Sequence, residues 1–178
     1  MKTSGYTRTA IVLHWTIALM IAGSFSVGLY MSDLPFSPWK FKVFAWHKWA
    51  GVTIFGLVLL RLLWRLGHPA PALPGTMPAW QRTGAHLSHL LIYVLMVAIP
   101  LSGWLYSSAT GISVVYFNLI PLPDLLAKDK ALASQLKEVH ETLNWTLLAI
   151  VALHTAAALK HQFVDRDGLL MRMLKPQH

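Results

Sequence analysis

Residues 140–154 read HETLNWTLLAIVALH, a run with a histidine at each end and one charged residue, Glu141, next to the first. The 14-residue separation of His140 and His154 is roughly 3.9 turns at 3.6 residues per turn, so a helix presents both imidazoles on nearly one face, their backbones roughly 21 Å apart. From Thr142 to Leu159 the chain carries no Asp, Glu, Lys or Arg, a length of apolar helix that suits a bilayer. An ionisable side chain at membrane depth is costly and marks a functional site by default.

The rest of the chain has the same character. Of 178 residues 55% are hydrophobic and 12% charged, with a mean hydropathy of +0.50; the charged share is about half that of a soluble domain. Three more stretches lack charge: Ala10 to Ser32, Ala50 to Leu60 and Thr83 to Pro123. These imply an all-α membrane protein, one domain over residues 1–178, with four transmembrane helices at about 9–31, 41–66, 82–107 and 135–163. The first apolar run, about 22 residues, exceeds the h-region of a secretory signal and ends in no cleavage site, so it is read as a retained helix. Pro100 is tolerated within helix three, since membrane helices re-satisfy a freed carbonyl locally. The connection from Ser108 to Ser134 is expected to hold a short helix from Asp124, and the tail an amphipathic segment from Leu169 to Leu174.

Lys and Arg counts near the span ends set the orientation. Lys2, Arg8, Arg61, Arg65, Arg82, Lys160, Arg166, Arg172 and Lys175 fall on one side, against Lys40, Lys42, Lys48, Lys128, Lys130 and Lys137 on the other. The bundle is therefore up-down-up-down with both termini cytoplasmic. Trp15, Trp64 and Trp80 form the inner aromatic belt; Trp39, Trp46, Trp49, Trp104 and Trp145 form the outer one. The net charge of +8 flanks the spans instead of forming a soluble patch, which points to anionic lipid head groups and away from nucleic acid.

In this topology His14 and His154 share a depth on the cytoplasmic side, and His47 and His140 share one on the opposite side. Two depth-matched histidine pairs suit two stacked haems, each ligated by one imidazole from helix four and one from a neighbour. Cysteine is absent, which excludes a thioether-tethered haem, so two b-type haems here would be held without covalent bonds. A bis-imidazole iron has no open coordination position, which favours electron transfer over oxygen binding. The competing structural reading is that these histidines only hydrogen-bond between helices. A zinc protease is excluded, because the H-E-x-x-H pattern begun at His140 meets Asn144 in place of its second histidine. Other residues stay open: Arg61 and Arg65 between propionate pairing and positive-inside anchoring, Lys160 and His161 between a quinone site and snorkelling, His86 and His89 among haem, quinone, proton and interfacial hydrogen bonding. His68 reads as a loop residue.

Leu13-His14-Trp15, the His47 helix ending Arg61-Leu62-Leu63-Trp64-Arg65, the stretch from His86 through Tyr93 to Trp104, His140-Glu141-Thr142-Leu143, and the run from His154 to Lys160-His161 together resemble the bacterial cytochrome b561 family over nearly the whole chain. The resemblance implies an inner-membrane protein with two b-type haems that exchanges electrons with ubiquinone. It implies His14 and His154 for the cytoplasmic-side haem and His47 and His140 for the periplasmic-side one. Some members are superoxide oxidases, so a superoxide:ubiquinone oxidoreductase is one expectation. The alternatives are a haem-bearing anchor subunit for a periplasmic oxidoreductase such as a hydrogenase, and a haem-free histidine proton or metal transporter.

Overall fold

A computed structural model describes residues 5–176; Lys2 and the last two residues of the tail, Gln177 and His178, lie outside that range. Four helices long and apolar enough to cross a membrane account for most of the chain: α1 (Arg8–Asp33), α2 (Pro38–Gly67), α3 (Ala79–Thr110) and α4 (Lys130–Lys160). The expected spans are all present, each longer than its apolar run, and polar side chains cap three of them. Thr7 caps α1, its hydroxyl accepting from the Ala10 amide at 3.2 Å. Ser37 does the same for Lys40 at 3.3 Å, with Pro38 at the first helical position of α2, where a missing N–H costs nothing. α3 runs unbroken through Pro100 and ends on Gly111 at φ 75°, a left-handed stop that favours glycine.

Two sequence expectations about the long connection fail. No helix starts at Asp124, whose carboxylate instead accepts from the Ser113 hydroxyl at 2.7 Å. Helix four begins at Lys130, ahead of the expected Gln135, because Asp129 caps it by accepting from the amides of Ala131 (2.9 Å) and Leu132 (3.1 Å). The connection also forms a hairpin of β1 (Val115–Tyr116) and β2 (Ile120–Pro121), paired antiparallel. Phe117 (φ 49°) and Asn118 (φ 59°) make its turn, the two positive φ angles of a type I′ connection. The hairpin folds back along α2: Trp49 Nε1 donates to the Val115 carbonyl at 2.7 Å, Lys48 Nζ to the Ile112 carbonyl at 2.9 Å, and Thr53 shares a 2.9 Å hydrogen bond with the Tyr116 hydroxyl.

The bundle is built as two helical hairpins. α1 packs along α2 and α3 along α4, and the halves meet mainly through α2 against α3. A small core of Ile17, Ile54, Val58 and Met96 fills that meeting point. Elsewhere large apolar side chains such as Leu19, Leu63, Leu90 and Leu153 face outward, as a lipid-exposed surface requires. α4 continues into one π-helical turn, His161–Asp165, and the tail forms a 3-10 turn, Leu170–Met173. That turn docks under the bundle, since Trp15 Nε1 donates to the Met173 carbonyl at 2.8 Å and Arg172 to the Ala72 carbonyl at 2.9 Å.

The cap at Asp129 gives a direct check. Asp129→Ala removes both acceptors from the first turn of α4 and should cost about 1 kcal/mol, read as a lower Tm in detergent and faster amide exchange at Ala131 and Leu132. Asp124→Ala should leave those amides unchanged.

Candidate functional site

His47 on α2 and His140 on α4 face each other on the outer side of the bundle, ring centroids 6.3 Å apart and planes at 88°. Both are anchored in the same way. His47 Nδ1 stands 3.1 Å from the Ser24 carbonyl on α1, and His140 Nδ1 stands 3.1 Å from the Ile99 carbonyl on α3. A carbonyl oxygen only accepts, so each Nδ1 carries the ring hydrogen and each Nε2 is left with a lone pair. Metal–imidazole bonds of about 2 Å on either side of one ion would set two ring centroids roughly 6 to 6.5 Å apart. The donor set and its spacing therefore fit a bis-imidazole haem iron.

Each anchoring carbonyl has a glycine four residues further along its helix, Gly28 after Ser24 and Gly103 after Ile99. These glycines make room for the rings. A Cβ on Gly28 would lie 3.4 Å from His47 Cε1, while one on Gly103 would lie 3.0 Å from His140 Cε1 and 3.3 Å from its Nδ1. Serine hydroxyls complete the sockets, Ser24 Oγ at 3.2 Å from His47 Nδ1 and Ser102 Oγ at 2.9 Å from His140 Nδ1.

On the cytoplasmic side three imidazoles gather instead of two. His154 on α4 lies with its ring centroid 5.2 Å from that of His89 on α3, and His14 on α1 is within electrostatic range of both. Of the two histidines that the sequence left open on helix three, His89 thus belongs to this cluster. His14 also packs edge-on against Trp15, centroids 5.2 Å apart.

Arg61 and Arg65 converge on one phenol. Arg61 Nε donates to the Tyr93 hydroxyl at 3.0 Å, and Arg65 reaches the same oxygen at 3.4 Å while stacking over the ring at 5.6 Å. Arg61 also donates to the Ala10 carbonyl, one turn from His14 toward the cytoplasm, where they line a small pocket with Tyr6 and Trp64. Lys160 and His161 do not stand open as a pair. The Lys160 ammonium bonds Asp165 at 2.5 Å, and His161 Nδ1 bonds Asp167 at 2.6 Å with Asp165 at 3.1 Å. The π-helical turn brings these carboxylates back under α4, and among the described residues none hydrogen-bonds His161 Nε2. His68 sits beyond α2, stacked at 4.1 Å on Trp64.

Sequence reasoning singled out the four histidines but gave no role to Ser24, Gly28, Ile99, Ser102, Gly103, Tyr93 or the two tail aspartates. The small residues were visible as such, yet nothing local says which imidazole they receive.

A family model described as prokaryotic cytochrome b561 matches residues 5–176. Cytochrome b561 homolog 2 of Escherichia coli K12 is 34% identical over 173 residues, covering 95% of this chain and 90% of that protein. Cytochrome b561 homolog 1 of the same strain is 29% identical over 174 residues, 95% of this chain and 96% of that protein. A protein of Yersinia pestis named probable superoxide oxidase CybB is 30% identical over 172 residues, 95% of each chain.

The unequal room at the two glycines predicts unequal outcomes. Gly103→Ala should push the His140 ring aside and lower the bound haem content by roughly half, whereas Gly28→Ala, at ordinary contact distance, should retain most of it; the pyridine haemochrome assay measures both.

Proposed function

Since the chain belongs to the prokaryotic cytochrome b561 family, we propose that it carries electrons through two b-type haems between a periplasmic-side donor and ubiquinone. It is a multi-pass protein of the bacterial inner membrane that binds haem b for electron transport, which removes the haem-free transporter reading. The observation that carries the proposal is the pair of facing imidazoles of His47 and His140 at 6.3 Å, both with Nδ1 committed to backbone oxygen.

In this reading His47 and His140 hold the outer haem and His14 and His154 the inner one. Held by these imidazoles, a haem would supply one-electron redox chemistry at each site. The protein's work is placement: α4 carries one ligand of each pair, His140 and His154, which fixes the relation between the two sites. Arg61 and Arg65, beside Ala10 and one turn below His14, supply positive charge for propionates. Ubiquinone docks at the cytoplasmic end of α4, where His161, oriented by Asp167, presents Nε2 to a quinone carbonyl. Lys160 acts there only through Asp165.

Superoxide is the proposed donor, a reading supported by the similarity to the Yersinia pestis protein. The stoichiometry is two superoxide anions giving up one electron each and leaving as dioxygen, while ubiquinone takes two electrons and two protons to form ubiquinol. The outer-face lysines are partly engaged: Lys40 donates to the Leu34 carbonyl at 2.6 Å and Lys137 pairs with Glu141 at 3.2 Å. The second reading, an anchor subunit that receives electrons from a periplasmic oxidoreductase, is tested by the same assay with its partner in place of superoxide.

Purified protein should contain close to two haems per chain, and His140→Ala and His154→Ala should remove different components of the reduced-minus-oxidised spectrum. Loss of the same component in both variants would break the pairing. Enzymatically generated superoxide should drive ubiquinone reduction that superoxide dismutase suppresses, and His161→Ala should slow it severalfold with both haems retained. Unchanged kinetics in that variant would move the quinone site off α4.

A further inference from the structure

The outer sockets contain one feature beyond what holding a ring requires. Each Nδ1–H already has a carbonyl acceptor, from Ser24 or from Ile99, at 3.1 Å. A serine hydroxyl stands at the same hydrogen, Ser24 Oγ at 3.2 Å and Ser102 Oγ at 2.9 Å. Ser102 gives its single hydrogen to the Ile99 carbonyl at 2.8 Å, so toward His140 its oxygen accepts. Ser24 must also accept, because the one hydrogen on His47 Nδ1 is needed by the Ser24 carbonyl. Two oxygens therefore face each outer Nδ1–H. The cytoplasmic cluster is built differently: its neighbours include the Arg61 guanidinium, within electrostatic range of His14 and His89, and among the described residues no serine or threonine hydroxyl bonds His14 or His154.

We propose that Ser24 and Ser102 are positioning residues that lower the midpoint potential of the outer haem. Oxygen acceptors on Nδ1–H push electron density toward Nε2 and make the imidazole a stronger donor, which favours the more highly charged, oxidised iron. A hydroxyl added to a carbonyl strengthens this polarisation without changing the ligand. The Arg61 guanidinium near His14 acts in the opposite sense, favouring the less positive, reduced iron. The two devices separate the potentials of two sites with the same ligand chemistry. The inference rests on His47 and His140 being the outer ligands.

Spectroelectrochemical titration of the holoprotein in detergent tests it. Ser24→Ala and Ser102→Ala should each raise the reduced-to-oxidised ratio of the outer haem at fixed potential by roughly threefold to tenfold, tenfold being about 59 mV for one electron. The outer haem is the spectral component that His140→Ala removes. Its inner counterpart should hold its potential, and Ser102→Thr, which keeps the hydroxyl, should titrate like the wild type. An outer component within twofold of wild type in both single variants, at full haem content, would overturn the proposal. So would equal shifts of both components. A socket that served packing alone would lower haem content and leave the potential of the remaining haem in place. If His140→Ala leaves both components intact, the ligand assignment fails, and that result is distinct from an unmoved potential.

Discussion

A helix carbonyl that already accepts from the amide four residues on has a second lone pair, and in this bundle two such carbonyls offer it to an imidazole from the adjacent helix, Ile99 sharing it with the Ser102 hydroxyl. Ser24 on α1 fixes His47 on α2, and Ile99 on α3 fixes His140 on α4. The bond chooses the tautomer, and the tautomer decides which nitrogen faces the middle of the bundle. It also requires the helices to approach closely, which is why Gly28 and Gly103 stand one turn along from the two carbonyls. Ring orientation, helix spacing and glycine placement are thus one constraint expressed three times.

The rest of the fold serves that arrangement. Each of the two outer imidazoles, His47 and His140, is fixed by the other helix of its own hairpin, so α1–α2 and α3–α4 can each set one ring before the halves meet. Where they meet, the packed core is small, with Val58 fully buried among Ile17, Ile54 and Met96. Lipid offers apolar side chains almost as good a home as a neighbouring helix does, so the halves gain little from apolar burial alone. Under the proposed ligation, a bond from each half to a shared haem iron would supply what the packing does not.

The spans and the four histidines were legible because their signals are local. Charge-free runs of bilayer length and a 14-residue spacing on one helix need no knowledge of partners. The start of α4 was misplaced because hydropathy was followed in preference to the Asp129 cap, and the first turns of that helix carry Lys130, Lys137 and Glu138 outside the apolar run. The β-hairpin escaped because two-residue strands have no period to detect. The sockets were beyond reach for a deeper reason: Ser24 lies 23 residues from His47 and Ile99 lies 41 from His140. Small residues are common in every membrane helix, and only the folded pairing shows which of them touch an imidazole. Lys160 and His161 looked free because the π-helical turn that returns Asp165 and Asp167 to them has no sequence signature.

The division into two helical hairpins also bears on how the molecule is made. α1 and α2 enter the membrane first, carrying His14 and His47, and the proline-rich stretch from Pro69 to Pro78 separates them from the later pair. Under the proposed ligation each iron would take one of these early histidines and one from α4, which is synthesised after both hairpin partners α1 and α2. Neither cofactor can then be clamped on both sides until α4 has entered the membrane. Under that ligation a chain stalled or cleaved before α4 would be left without a single complete site, so capture of either cofactor would require α4 to be in place.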